Sequence, residues 1–190
     1  MKKLVCSCVI LLTLSSAFAQ QGAEFMHSLG GKYFIYSNSD GFYGGAAVYS
    51  PRVNFANLGT SSTVSAGTHL ALGFSLASGP GGNATSFLYD LPAVAELNFG
   101  FGSSKEADGG FGGYIGAGYG LHHVSINVDG YGGSATIHGP VFTGGIRFDI
   151  PRVGAMELGA SYMIDLKDKD QKVNILGITV SYLLGMGSRD

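Results

Sequence analysis

Charged residues are scarce in this sequence, and the basic ones form no cluster. Asp, Glu, Lys and Arg make up 13% of the 190 residues, about half of the ~25% that is usual for soluble domains. There is no tryptophan, and the only two cysteines are Cys6 and Cys8. The absence of a basic block argues against binding to nucleic acid or to an anionic lipid surface.

The N-terminus has the layout of a secretory signal peptide. Two lysines precede an apolar run over residues 4–14, and Ala17-Phe18-Ala19 follows as a small-residue cleavage pattern. We therefore predict a cleaved signal peptide over residues 1–19 and one exported domain over residues 20–190. Both cysteines lie in the predicted signal peptide, so neither disulfides nor thiolate chemistry is expected in the exported chain. That chain has nine basic and thirteen acidic residues, a net charge of −4.

After residue 19 no segment approaches the ~20 apolar residues that a membrane helix requires. Glycine is abundant instead: all 32 glycines follow the signal peptide, against a usual ~7% of residues. They show no collagen period, and the aromatic and β-branched residues between them argue against disorder. If this protein enters a membrane, it must cross it with strands.

The segment Val64–Leu76, VSAGTHLALGFSL, alternates between larger apolar and small or polar residues. A period of two is typical of a β-strand, because successive side chains point to opposite faces. Turn-like clusters at 37–41, 56–62, 78–86, 103–110, 125–137, 150–154 and 167–172 leave eight predicted strands: 24–36, 42–55, 63–77, 87–102, 111–124, 138–149, 155–166 and 173–185. Each exceeds the ~9–11 residues of a tilted membrane strand, and together they predict an antiparallel meander.

The composition of the two strand faces indicates which solvent each one meets. One face is continuously apolar and almost free of charge; the other is mostly Gly, Ser, Thr and Ala, with one or two charges per strand. A soluble barrel would instead present many charges outward. We expect the apolar face to meet lipid and the small face to fill a narrow lumen, as eight strands allow. A lipocalin-like soluble barrel is the alternative.

The pieces DLPAVAELNFGFG and FGGYIGAGYG, and the closing VNILGITVSYLL, resemble the small eight-stranded, porin-like outer-membrane barrels of Gram-negative bacteria, the OmpA/OmpX type. The resemblance implies an all-β, eight-stranded antiparallel up-and-down transmembrane β-barrel in the outer membrane. It implies contact with outer-membrane lipid and lipopolysaccharide, insertion by the barrel-assembly machinery, a monomer, and both termini on the periplasmic side. Pro51 and Pro92 fall in predicted strands, where we expect bulges or strand ends.

Ten ionisable side chains are predicted to face the lumen: Glu24, Lys32, Arg52, His69, Asp90, Glu96, Arg147, Asp149, Glu157 and Asp165. They predict either an interlocked plug of paired charges or a polar pore. The plug is favoured for eight strands. The surplus of acids makes a narrow cation-preferring pore the alternative. No cofactor or metal is expected, because the adjacent His122 and His123 point to opposite faces and cannot chelate one ion.

His123 and Ser125 have the spacing of the His and Ser of outer-membrane lipid A deacylases, with Asp129 as the neighbouring acid. A hydrolase needs a base held by an orienting group, which the sequence does not show, so an enzyme is the third possibility. The expected function is a structural outer-membrane barrel with a surface-interaction role through residues 125–137.

Overall fold

The computed structural model describes residues 22–37, 43–79, 82–107, 109–128, 131–166 and 172–186; the predicted signal peptide lies outside them. The described residues form nine strands: β1 (Glu24–Tyr36), β2 (Tyr43–Gly59), β3 (Ser62–Thr68), β4 (Leu70–Gly79), β5 (Gly82–Gly100), β6 (Phe111–Val128), β7 (Tyr131–Ile150), β8 (Gly154–Met163) and β9 (Ile175–Leu184). None of these residues belongs to a helix long and apolar enough to span a bilayer.

The strands close into a ring. Neighbours in sequence pair antiparallel, and β1 pairs with both β2 and β9, with Lys32 opposite Ala46 on one side and Thr179 on the other. β3 and β4 are successive parts of one strand, since both lie between β2 and β5 in the same register. The ring therefore has eight strands, which confirms the predicted fold class.

The prolines do not end strands, contrary to the prediction. Pro51 lies within β2 and Pro92 within β5, and the interruption falls at His69 between them. The register places Pro51 beside Thr68 and Pro92 beside His69. A proline has no N–H to donate to the ladder, so the strand between the two prolines lacks donors from both neighbours, and its pairing breaks there.

Three predicted turns are largely strand. Pairing continues to Gly59 opposite Ser62, to Gly79 opposite Gly82 and to Val128 opposite Tyr131. The Gly- and Ser-rich composition suggested loops at 56–62, 78–86 and 125–137, but pairing with a neighbouring strand overrides such local preferences. As a result β5, β6 and β7 have 19, 18 and 20 residues, while β8 and β9 have 10 each.

The outer wall is apolar, as the alternation predicts. Leu72 and Phe74 are 61% and 66% exposed, whereas Ala71 between Leu70 and Leu72 is buried. In the described strands, no Asp, Glu, Lys or Arg points outward. Large exposed apolar side chains lie on every described strand except the short β3. Examples are Phe25, Leu29, Tyr33, Tyr49, Val53, Leu70, Phe87, Leu91, Leu97, Phe99, Phe111, Ile115, Tyr119, Phe142, Ile146, Leu158, Tyr162, Leu176, Ile178, Val180 and Tyr182.

The inner wall is less polar than the sequence suggested. Toward the end of the barrel far from the termini, it carries a cluster of buried apolar side chains: Phe34, Tyr36, Val48, Ala71, Leu88, Val124, Ile137, Val141, Met163 and Ile175. In the predicted strand 87–102, Phe101 has the same parity as the outward-facing Leu97 and Phe99, and alternation therefore predicts an outward side chain, which the structure contradicts. Phe101 lies just after β5, between Gly100 (φ 66°) and Gly102 (φ 72°), and packs inward against Ala155 and Leu183. Only glycine adopts such a φ readily, so this turn folds the chain across the barrel end.

Candidate functional site

Strand alternation brings ionisable side chains from β1, β2, β5, β6, β7 and β8 into the lumen, where they form two clusters. The termini-end cluster contains Arg52, His69, Glu96, Arg147 and Glu157, and lies toward the end where the chain enters and leaves the barrel. The central cluster contains Lys32, Tyr36, Asp90 and His122. The buried apolar side chains of the inner wall, called the buried apolar layer below, surround the central cluster and continue from it toward the end of the barrel far from the termini.

Arg147 is the centre of the termini-end cluster and is almost completely buried. Its Nε donates to Glu157 Oε2 at 2.6 Å, and its Nη1 donates to Asn98 Oδ1 at 2.8 Å. The guanidinium also lies over the ring of Tyr114, 4.4 Å from its centroid. Arg147 thus joins β5, β6, β7 and β8. Charge-assisted hydrogen bonds of this kind are the stronger ones in proteins.

The segment after β5 is held against this cluster by its own backbone. The Gly102 carbonyl accepts hydrogen bonds from Arg52 Nη2 and from Arg147 Nη1. The Ser103 carbonyl accepts from Asn54 Nδ2 at 2.8 Å and from Thr63 Oγ1 at 2.9 Å. Because buried polar groups need partners, these contacts explain how irregular chain can cover the barrel end.

His69 links β2, the interrupted strand and β5. Its Nε2 lies 2.9 Å from Glu96 Oε1 and its Nδ1 lies 2.9 Å from Ser50 Oγ. A neutral ring that donates from Nε2 to the carboxylate accepts from the Ser50 hydroxyl at Nδ1. The side chain therefore bridges the place where the two prolines interrupt the ladder.

The central cluster crosses the lumen. Lys32 Nζ donates to Asp90 Oδ2 at 2.7 Å, and His122 Nδ1 lies 3.4 Å from Asp90 Oδ1. His122 Nε2 lies 2.9 Å from the Tyr36 hydroxyl, and the ring of Phe34 packs edge-on against His122. All five side chains are buried.

Between the two clusters there is a cavity of about 10 Å³, lined by Lys32, Phe34, His69, Asp90, Pro92, Val141, Ser161, Met163 and Ile175. That is about the smallest volume that holds one water molecule. The formal charges of the two clusters are balanced: Lys32, Arg52 and Arg147 against Asp90, Glu96 and Glu157. No group of three or more His, Cys, Asp or Glu in the described part of the chain could hold a metal ion.

The structure brings seven of the ten predicted lumen residues together: Lys32, Arg52, His69, Asp90, Glu96, Arg147 and Glu157. It places the other three elsewhere. Glu24 lies at the termini end, where it accepts from Asn54 Nδ2 and from the Lys105 backbone. Asp149 is half-buried near the end of β7. Asp165 follows β8 and accepts from the Val173 backbone N–H, so it stabilises the approach to β9.

Sequence reasoning missed four side chains that complete the clusters: Tyr36, Asn98, Tyr114 and His122. Their signal was present, because each lies on the same parity as a predicted lumen residue of its strand or of the ladder. Tyr36 is four residues after Lys32, and His122 pairs with Asp90 across β5 and β6. From the sequence, His122 is tested only as a metal ligand together with His123, and its pairing with Asp90 across β5 and β6 is not used.

On the outer wall, His123 and Ser125 share the outward face of β6. His123 Nδ1 lies 2.8 Å from Thr136 Oγ1, and its ring stacks on Tyr89 with 5.0 Å between centroids. Asp129, the predicted acid of the hydrolase hypothesis, lies outside the described residues. The orienting partner of His123 in the described chain is therefore a hydroxyl.

No family model matches the sequence, and a comparison with curated proteins finds no match either. Solved structures do resemble it. Ail, the attachment invasion locus protein of Yersinia pestis, has a TM-score of 0.52 at 15% identity, over 86% of this chain and 99% of that chain. Neisserial surface protein A has a TM-score of 0.51 at 17% identity, over 85% of this chain and 97% of that chain. The chain thus has the fold of the small eight-stranded outer-membrane β-barrels of the OmpA/OmpX type.

Proposed function

We propose that this protein is an integral outer-membrane β-barrel with a closed lumen, whose role is structural and surface-exposed rather than catalytic or conductive. The observation that carries the proposal is the apolar band around the ring. On β6 the outward side chains are apolar or small from Phe111 to Leu121. Ten residues at ~3.3 Å each, tilted by about 40°, span roughly 25 Å, which is the height of the band on known membrane barrels.

Closure of the lumen is supported by its packing and its charge. The cavity at mid-height holds about one water, and the buried apolar layer lies between it and the far end of the barrel. The surplus of acids that suggested a cation-preferring pore belongs to Glu24, Asp149 and Asp165, outside the two clusters. Within the clusters Asp90 pairs with Lys32, Glu157 pairs with Arg147, and Glu96 is hydrogen-bonded to His69. A permeating cation would therefore have to displace one of these partners.

The surface role is supported by the long hairpin of β6 and β7. Residues 132–135 are exposed, and within the described chain residues 131–137 have no strand partner on the side away from β6. Residues 125–128 and 131–137 therefore extend the sheet beyond the ends of β8 and β9. The proposal also includes contact with lipopolysaccharide, insertion by the barrel-assembly machinery, and a monomer. In the described chain, the group beside His123 Nδ1 is the Thr136 hydroxyl and not a carboxylate. This favours a structural role over that of a lipid A hydrolase.

Spin labels test the orientation of the wall directly. The exported chain has no cysteine, so Leu72→Cys and Val153→Cys each provide a single attachment site for the label. In lipid vesicles, a label at Leu72 should collide often with oxygen and rarely with a water-soluble nickel chelate. Val153 lies in the exposed turn between β7 and β8, and its label should show the opposite. A Leu72 label readily reached by nickel would refute the membrane assignment.

Planar-bilayer recording tests the closed lumen. The wild-type protein, shown to be folded by its different gel mobility before and after boiling, should give no regular conductance steps. Steps with cation selectivity would instead support the pore.

Epitope insertion tests which ends of the strands face the cell exterior. An epitope inserted after Asp129 should be detected on intact cells, whereas one inserted after Glu106 should be detected only after lysis. The reverse pattern would contradict the proposed topology.

A further inference from the structure

The outer wall of β6 and β7 changes character sharply at the end far from the termini, whereas the neighbouring β5 remains apolar as far as Phe87. On β6 the outward side chains are apolar or small up to Leu121, and the next is His123. On β7 they are apolar or small up to Pro140, and the next is His138. The ladder pairs Leu121 with His138, so the change occurs at the same level on both strands. That level is the edge of the apolar band, where lipid headgroups begin.

Around this edge lies a cluster that we call the histidine patch: Tyr89, Tyr119, His123, Thr136 and His138. The Tyr119 hydroxyl lies 2.6 Å from His138 Nδ1, and Thr136 Oγ1 lies 2.8 Å from His123 Nδ1. A hydroxyl can donate to Nδ1 or accept from it, and where it donates, the neutral ring carries its proton on Nε2. In that tautomer the patch presents two N–H donors on neighbouring strands, on side chains whose diagonal positions are roughly 7–8 Å apart.

Below the histidine patch, on the same strands, the wall has an apolar groove of about 590 Å³. Ala95 and Ala117 are paired across β5 and β6 and form its floor, and Leu97, Ile115 and Phe142 rise beside them. The groove exists because two alanines face outward where the neighbouring positions carry large side chains. From Ala117 to His123 is six residues along β6, about 20 Å, so groove and patch lie along one line.

We propose that this face binds one phosphorylated glycolipid of the outer leaflet, with a phosphate on Nε2 of His123 and His138 and an acyl chain in the groove. The inference rests on the proposed function, which puts this end of the barrel in the outer leaflet, where such glycolipids reside. The ionised oxygens of a phosphate accept hydrogen bonds, and in the tautomer with the proton on Nε2 both imidazoles offer a donor to them. None of the outward side chains described on β5, β6 and β7 is acidic, so nothing there repels an anion.

Native mass spectrometry of the full chain in detergent micelles can count bound lipid. The probes are lipid A, lipid A with its phosphates removed, and phosphatidylglycerol. We expect lipid A to bind at least tenfold more tightly than either of the others. His123→Leu and His138→Leu should each weaken lipid A binding about tenfold, because each removes one hydrogen bond to a charged group. Ala117→Phe should weaken it to a similar extent by filling the groove.

His27→Leu is the matched control. His27 also lies on the outer wall beside a tyrosine, with Nδ1 3.2 Å from the Tyr49 hydroxyl, but at the opposite end of the barrel. It should bind lipid A within twofold of wild type. Equal binding of phosphorylated and dephosphorylated lipid A would overturn the inference, as would equal binding of phosphatidylglycerol or an unchanged affinity in both histidine variants.

Every variant is first checked for heat-dependent gel mobility, so loss of binding by an unfolded chain is not counted. A wild-type protein that folds and inserts but shows no preference for lipid A refutes the inference and leaves the proposed function intact. A wild-type protein that never folds in detergent or lipid refutes the proposed function, and the inference with it.

Discussion

Breaking the contact between Arg147 and Glu157 should destabilise the barrel more than most single changes. The two side chains are 1% and 2% exposed, and their charged atoms are 2.6 Å apart. Removing one partner leaves a buried charge without compensation, which costs about 3–5 kcal/mol. We therefore expect Arg147→Met to lower the free energy of unfolding by about 4 kcal/mol. Glu157→Leu should cost somewhat less, because Arg147 keeps Asn98 and the Gly102 carbonyl as partners.

The double variant decides whether the loss of stability in the single variants comes from breaking the charge pair. Arg147→Met with Glu157→Leu removes both charges, and its main remaining cost is the orphaned Asn98 oxygen, about 1–3 kcal/mol. The Gly102 carbonyl keeps its bond from Arg52. With single effects of about 4 and 3 kcal/mol and a double effect of about 2 kcal/mol, the double variant should be about 5 kcal/mol more stable than the sum of the single effects. That exceeds most measured coupling energies, because each single variant leaves a buried charge without its partner.

Urea unfolding in lipid vesicles, followed by the folded fraction on unboiled gels, measures all four states of this cycle. Arg152→Met is the control: Arg152 is exposed in the turn between β7 and β8, so its loss should change stability by no more than about 0.5 kcal/mol. If the effects of the two single variants simply add, the lumen charges do not act as a pair, and the reasoning fails.

Three further substitutions test packing at the wall, the band and the barrel end. Gly118→Ala places a Cβ against a backbone carbonyl of β5 and should cost about 3 kcal/mol in urea unfolding, whereas Gly133→Ala meets nothing within 4 Å and should be tolerated. Val180→Arg, in the middle of the band on β9, should cost about 2–4 kcal/mol in vesicles, while Val153→Arg in the exposed turn should not. Phe101→Ala should cost about 3–5 kcal/mol if Phe101 packs inside the barrel end; a negligible loss would place it outside.

The alternation of side chains predicted strand faces well because the period of two is imposed by the backbone. Where a strand is regular, outward Leu72 and Phe74 require an inward Ala71. The same rule places Tyr36 and His122 inside, whereas Phe101 escapes it because the strand ends at Gly100. Parity is a local property, so a sequence shows it directly.

What parity could not show is the composition of the lumen along its axis. Phe34, Val48 and Leu88 are as apolar as the lipid-facing side chains. They meet inside the barrel only because of the register in which their strands pair. Strand ends were also misplaced where Gly and Ser suggested turns, because hydrogen bonding to a neighbouring strand decides where pairing stops. Which carboxylate meets which base depends on register as well, and register is a property of pairs of strands.

The central cluster offers a physical reason why the ring closes in one register. A slip of β1 by one residue against both of its neighbours, β2 and β9, would turn Lys32 toward lipid, which the apolar band alone opposes. A slip of two residues preserves both faces and the ladder, yet it moves the strand by about 6.6 Å. That shift would separate Lys32 from Asp90 and Tyr36 from His122, which lie on strands across the barrel, and leave charges buried without partners. Backbone hydrogen bonding and the apolar outer face both tolerate a slip by two residues. The contacts across the lumen do not, and they therefore select one register.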